Sequence, residues 1–170
     1  MHTEPSYDFV VIGGSPEGDD AAREAALRGR SVATITPTSA APTGDAAAPA
    51  RDGGRRIHGD PRLVGPRTVA VREPDGSETR LRALWLVIAR GFDSPAENPL
   101  NGDLALEKAG LELHEGHLPV DEHGQTEASG IYAVGAARHG RPRTFRSRHQ
   151  GRRAICHALA VDLLPSGDRG

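Results

Sequence analysis

The strongest constraint on the fold is a short apolar run that ends in glycines and leads into a small-residue helix. Residues 9–12 read Phe-Val-Val-Ile, which is typical of a strand buried on both faces of a parallel sheet. Gly13 and Gly14 follow, residues 17–28 carry alanines at helical spacing, and residues 31–35 read as a second buried strand. This strand–turn–helix–strand order predicts the opening of a Rossmann-like α/β fold with a central parallel sheet.

The remaining apolar patterns predict a hairpin layer, more buried strands and a closing helix. Residues 74–77 read Pro-Asp-Gly-Ser, a strong turn signal between two alternating segments. The predicted strands are 68–72, 79–82, 84–89, 118–120 and 131–135, and the predicted helices are 104–110 and 150–164. The expected architecture is therefore a parallel sheet with helices and a β-meander or hairpin layer.

The 170 residues suit one domain, formed by 1–36 together with 55–164. Residues 37–54 are rich in Pro, Ala, Gly and Ser, and we expect a flexible linker there, with a disordered tail at 165–170. The longest apolar run, residues 84–89, is too short to cross a membrane, and the N-terminus has no secretory pattern. We therefore expect a cytoplasmic protein.

Cys156 is the only cysteine of the chain, and we expect it to be a buried structural thiol beside Ile155 and Leu159. A single cysteine excludes a disulfide within the chain and a CxxC redox pair. His114, His117 and His123 lie in a turn-rich segment without cysteine, which does not predict a metal site.

Residues 138–153 contain seven arginines and no acid. Arg138, Arg141 and Arg143 are candidates to bind an anionic small molecule, a dinucleotide or an acidic partner surface, and the alternative is a solvated surface segment. Only Phe145 interrupts the run, which argues against stacking of nucleic-acid bases.

The catalytic residues are not identified by any motif. His139 and His149 flank the arginines, and either could act as acid or base near neutral pH. Arg90 is the third candidate for a catalytic residue. The alternative for His139 and His149 is that they are ordinary surface histidines.

Four segments in order resemble the FAD-binding half of the pyridine nucleotide–disulfide oxidoreductase family, with soluble transhydrogenase and dihydrolipoamide dehydrogenase most similar. Residues 7–18 (Tyr-Asp-Phe-Val-Val-Ile-Gly-Gly-Ser-Pro-Glu-Gly) resemble its FAD fingerprint, and residues 86–91 (Leu-Val-Ile-Ala-Arg-Gly) its Ala-Thr-Gly strand. Residues 119–135 are similar to the segment that leads to its second FAD contact, and residues 150–154 to the helix beyond it. The resemblance implies a Rossmann-like FAD/NAD(P)-binding fold.

The resemblance also implies which residues would contact FAD: Gly13, Gly14, Ser15, Gly18, Thr36, Arg90, Gly91, Gly135 and Ala136. Four of these depart from the family pattern. Ser15 replaces a glycine that admits the pyrophosphate, and Thr36 replaces the acid that binds the adenosine ribose. Arg90 replaces a threonine, and Ala136 replaces an aspartate at the ribityl chain.

Acidic residues at the start of the first predicted helix weaken the phosphate site further. Glu17, Asp19 and Asp20 lie where a diphosphate would meet the helix N-terminus, and we expect them to cap the helix and repel the anion. FAD binding is therefore predicted to be weakened, and a metal is not predicted.

Three functions remain open. The first is a minimal flavoprotein oxidoreductase without an NAD(P) domain, redox cysteine pair or dimerisation domain of its own. The second is a cofactor-free member that uses the vacated cleft for redox-neutral chemistry on a small molecule. The third is a non-catalytic accessory subunit, in which a protein partner or a second copy covers the exposed flavin half.

Overall fold

The computed structural model describes residues 4–13, 16–36, 55–89, 105–112, 114, 118–134 and 150–162. The predicted linker at 37–54 and the predicted tail at 165–170 lie outside these residues. The elements are β1 (Ser6–Ile12), α1 (Pro16–Leu27), β2 (Val32–Thr36), β3 (Arg55–His58), β4 (Asp60–Gly65), β5 (Thr68–Arg72), β6 (Glu78–Ile88), a 3₁₀ helix (Leu106–Ala109), β7 (Ile131–Ala133) and α2 (Gln150–Asp162).

The described strands form one sheet in which β6 is the branch point. One edge of β6 pairs in parallel with β1, and β2 and β3 continue the parallel sheet beyond β1. On its other edge, the first half of β6 pairs antiparallel with β5, which pairs with β4. The second half of that edge pairs in parallel with β7. This topology confirms the predicted parallel sheet with a β-meander.

The centre of the sheet is buried on both faces. Phe9 and Val11 of β1 point to the layer formed by α1 and α2, and the ring of Phe9 stacks on Trp85 at a centroid distance of 4.8 Å. Val10 and Ile12 belong to the opposite cluster, with apolar residues of the meander, the 3₁₀ helix and Leu118. Burial on both faces explains why β1 is a continuous apolar run rather than an alternating one.

Residues 79–82 and 84–89, predicted as two strands, belong largely to one strand. Its first half alternates between buried and exposed residues, because it lies in the meander with one face in solvent. Its last four residues are all buried, because layers cover both faces of the parallel region. The change of pattern therefore marks a change of environment and not a chain break.

Two other predictions need correction. β4 was not predicted, because Pro61 and Arg62 interrupt its apolar pattern; the strand lies at an end of the sheet order, where proline is tolerated. The strand predicted at 118–120 is wrong, since these residues join no ladder although Leu118 is fully buried. Pro119 lacks the N–H that a ladder requires. Within the described residues, no helix is long and apolar enough to cross a membrane.

Candidate functional site

The carboxyl ends of the parallel strands meet at one edge of the sheet, which we call the sheet-edge site. Backbone hydrogen bonds join neighbouring strands at this edge: Gly13 N to Ile35 O at 2.9 Å, Ala89 N to Ile12 O at 2.8 Å, and Val134 N to Ile88 O at 3.0 Å. In open α/β sheets, ligands bind outside the carboxyl ends of the strands. The sheet-edge site is therefore the position at which this fold offers a ligand site.

The structure explains why two of the predicted site residues, Gly13 and Gly18, are glycines. Gly13 has φ 128°, a conformation that side-chain-bearing residues rarely adopt. A Cβ added at Gly18 would lie 2.9 Å from the Cβ of Ala89 and 3.3 Å from Cγ1 of Val11. The first turn of α1 is thus packed directly against β1 and β6. This close contact directs the N-terminus of α1 to the sheet edge.

Thr36 ends β2 at the same edge and is partly buried. Its carbonyl oxygen accepts a hydrogen bond from Gly59 N at 3.0 Å, which fixes the end of β2 to the chain that enters β4. The backbone position is therefore well held. The side chain, however, offers one hydroxyl where a carboxylate would accept two hydrogen bonds from a ribose.

The acids of the first turn of α1 have different roles. Asp20 Oδ2 accepts a hydrogen bond from Arg152 N at 2.9 Å, so this carboxylate caps α2, whose first turn has free N–H groups. Burial raises the pKa of Asp19, and the charges of Arg56 and Arg23 partly oppose this shift. The described partner of Asp20 thus belongs to the second helix, and capping of α1 by these acids stays a prediction.

The other predicted site residues lie outside the described residues and stay predictions. They are Gly14, Ser15, Arg90, Gly91, Gly135, Ala136, Arg138, His139, Arg141, Arg143 and His149. Arg90 directly follows Ala89 in the chain, and Gly135 directly follows Val134.

A polar cluster that the sequence did not reveal joins β7, α2 and the turn containing His123. Tyr132 Oη lies 2.8 Å from His157 Nδ1, and the ring of His157 stacks on that of His123 at a centroid distance of 4.0 Å. Burial raises the pKa of Tyr132 to about 12. Burial lowers the pKa of His157, and the neighbouring His123 lowers it further. A tyrosine inside an otherwise apolar strand is the only sequence signal for this cluster.

Cys156 differs from its predicted role. Its side chain is partly exposed and not buried, although Ile155 beside it is buried as expected. Arg28 Nη2 donates a hydrogen bond to the Cys156 sulfur at 3.2 Å, and Glu24 Oε1 lies 4.0 Å from it. The thiol faces the polar side of α1, which explains its exposure. Among the described residues, no group of three or more His, Cys, Asp or Glu side chains could hold a metal ion.

Comparison with known proteins identifies the family. The sequence profile described as "Pyridine nucleotide-disulphide oxidoreductase" matches residues 55–151. This is more than half of the chain, which therefore belongs to that family. A comparison with curated proteins gives no significant match.

Two solved structures show the same fold at low identity. One is a Cu(II) complex of a mutant of the HOCl-induced flavoprotein disulfide reductase RclA from Escherichia coli, with TM-score 0.71, 13% identity, and coverage of 97% of this chain and 72% of that chain. The other is an oxidoreductase from Agrobacterium tumefaciens, with TM-score 0.69, 13% identity, and coverage of 95% and 100%. The chain thus has the Rossmann-like fold found in flavoproteins, as its sequence predicts.

Proposed function

We propose that this protein is a minimal flavin-domain oxidoreductase that binds FAD weakly and exchangeably at the sheet-edge site. The observation that carries the proposal is the contact of Gly18 with Ala89 and Val11, which leaves no room for a Cβ. The third glycine of a dinucleotide-binding turn has this packing role, because it lets the helix approach the sheet. Packing of this kind keeps an anion-binding helix end at the strand ends.

The residues at the sheet edge fit a dinucleotide. Gly13 and the first turn of α1 would hold the pyrophosphate, and Thr36 would meet the adenosine ribose. When bound, FAD supplies electron transfer that no side chain of the chain provides. Because Cys156 is the only cysteine, the proposed activity does not use a redox disulfide within this chain.

The affinity is proposed to be low because several ligand contacts are replaced. Thr36 removes the carboxylate expected at the ribose, and Ser15, Arg90 and Ala136 depart from the family pattern in the sequence. A lost hydrogen bond of this kind costs about 1–3 kcal/mol, or roughly one to two decades of affinity. The four replacements together make the flavin exchangeable.

Restoring one contact tests this proposal. We expect Thr36→Glu to bind FAD about tenfold more tightly than the wild type, since a carboxylate accepts charge-assisted hydrogen bonds from the ribose hydroxyls. Thr68→Glu, at the start of β5 in the meander, is the matched control and should leave the affinity unchanged. Quenching of flavin fluorescence during FAD titration measures both. Absence of FAD binding by the wild type and by Thr36→Glu alike would exclude the proposed cofactor.

A second candidate function is redox-neutral chemistry on a small molecule without a cofactor. The observation that favours it is Asp19, an exposed carboxyl group in the first turn of α1 whose pKa is raised by partial desolvation. Such a group opposes a diphosphate but suits proton transfer. This candidate predicts colourless protein that a small molecule stabilises and that FAD does not.

A further inference from the structure

A cavity of about 630 Å³ lies against α2 and the turn containing His123. We call it the α2 cavity. Among the described residues, it is lined by His123, Arg152, Arg153, Cys156 and His157. None of these is one of the glycines or strand ends of the sheet-edge site, and none is a carboxylate. The described lining therefore offers guanidinium groups and imidazole rings, and it contains no carboxylate of its own.

Two acids lie against lining residues of the α2 cavity: Glu24 beside Arg152, and the largely exposed Glu122, whose Oε1 lies 3.3 Å from His123 Nε2. The side chain of Glu24 is only 14% exposed. Its Oε1 lies 2.8 Å from Arg28 Nε, whereas its Oε2 lies 3.6 Å from Arg152 Nε. Asp121 Oδ1 accepts the backbone N–H groups of His123 and Gln125. These contacts leave the guanidinium of Arg152 only partly neutralised.

Arg153 is the cation with the greatest freedom to bind a ligand. It is exposed, it lines the cavity, and it has no ion-pair partner among the described residues. Arg152, its neighbour in the first turn of α2, is also exposed. Two arginines that line one cavity provide several N–H donors, which suit a doubly charged oxyanion.

The ring of His157 adds a hydrogen-bond donor to the cavity lining. The raised pKa of Tyr132 keeps its hydroxyl protonated, so Oη can donate to His157 Nδ1, 2.8 Å away. When the hydroxyl donates in this contact, the neutral imidazole carries its hydrogen on Nε2, and the proposal uses this tautomer. That N–H is available to an acceptor oxygen.

We propose that the α2 cavity binds a compact dianionic group, either a phosphate monoester or a dicarboxylate, through Arg152, Arg153 and His157. Both ligands share the chemistry that the lining recognises, which is two negative charges spread over several acceptor oxygens. A bound dianion would also stabilise the protonated form of His157, against the effects of burial and of His123. The other titratable groups facing this ring are Tyr132, Asp121 and Glu122.

The test is an NMR titration of the histidine ring signals of the full chain at constant ionic strength. Inorganic phosphate and succinate are the probes, and chloride is the reference. We expect a saturable change in the His157 and His123 signals and a rise in the pKa of His157. Saturation by phosphate alone identifies the phosphate class, and saturation by succinate alone identifies the dicarboxylate class. Saturation by neither, beyond the effect of chloride, overturns the proposal.

A pair of arginine variants locates the site. Arg153→Gln should weaken binding of the active probe at least tenfold, because it removes a charge-assisted contact. Arg72→Gln, an exposed arginine at the end of β5, should change it less than twofold. Equal binding by wild type and Arg153→Gln would overturn the assignment.

The proposal is independent of flavin binding. Repeating the titration with saturating FAD should leave the affinity for the anion unchanged, and displacement of the anion by FAD would overturn a separate site. Failure of FAD to bind at all would exclude the proposed cofactor while leaving the anion titration interpretable.

Discussion

The sheet-edge site and the α2 cavity are built in opposite ways. At the sheet edge the backbone is closely constrained, with Gly18 packed on Ala89, and the described side chain at the end of β2, Thr36, carries a single hydroxyl. In the α2 cavity the lining consists of polar and charged side chains on one helix and one turn. The difference separates packing from ligand contacts, because the close approach of α1 to Ala89 and Val11 requires Gly18 irrespective of any ligand.

The largest effect is expected from overpacking the sheet edge. Gly18→Val should lower the free energy of unfolding by about 1–3 kcal/mol, since its side chain would overlap Ala89 and Val11. Gly65→Val is the matched control, because the nearest atoms to a Cβ at Gly65 are 3.9 Å away. Urea denaturation measures both. If the two variants lose the same stability, the close packing of α1 is not what distinguishes the sheet edge.

A smaller effect is expected from the polar cluster. Tyr132→Phe removes the hydrogen bond to His157 Nδ1 and should cost about 1 kcal/mol of stability. Tyr7→Phe is the control, since the described polar contact of Tyr7 is a longer one, 3.4 Å from Arg55 Nη1. Thermal and urea unfolding of the two variants would show whether the Tyr132–His157 contact stabilises β7. If Tyr132→Phe leaves the free energy of unfolding unchanged, the contact does not stabilise the protein.

The next largest effect is expected from the negative charge of Asp19 at the start of α1, which influences the affinity for FAD. Asp19→Asn removes a negative charge from the first turn, where a helix dipole favours an anion, and should tighten FAD binding by a few fold. Glu107→Gln in the 3₁₀ helix, which packs in the opposite layer, is the control. The measurement is the same FAD titration. Weaker FAD binding by Asp19→Asn would instead assign this carboxyl group to ligand recognition.

The smallest effect is the pH dependence of stability caused by His157. Because its pKa is lower in the folded protein than the usual value of about 6.5, the unfolded chain binds more protons at mildly acidic pH. Its contribution to stability is therefore complete above pH 6.5 and falls as the pH is lowered through the folded pKa. Urea unfolding in phosphate-free buffer between pH 7.5 and 5 should show a shallower decline for His157→Gln than for the wild type. His58→Gln, an exposed histidine, should decline like the wild type.

The central parallel strands were predictable because burial on both faces leaves a continuous apolar run, as in β1 and the second half of β6. β3 was not identified as a strand for two reasons. Only Ile57 of its four residues is buried, and its partner strand β2 is distant in the sequence. The continuity of β6 was missed for a related reason, because its two halves face different layers.

The same logic applies to the sites. Gly13 and Gly18 were predictable from a local motif whose physical demands fall within a few residues. The capping of α2 by Asp20 and the contact of Tyr132 with His157 join distant segments, and no local spacing predicts them. The partial exposure of Cys156 was missed because its neighbours on α2 are apolar, whereas its partners Arg28 and Glu24 lie on α1.

The proposed function is that of a flavoprotein framework with a weakened hold on FAD. The most direct test measures flavin in the purified chain before and after gel filtration, and then titrates the flavin-free protein with FAD. We predict saturable binding on titration together with loss of the flavin on the column. A stoichiometric flavin that remains with the protein through the column would contradict the weakened hold.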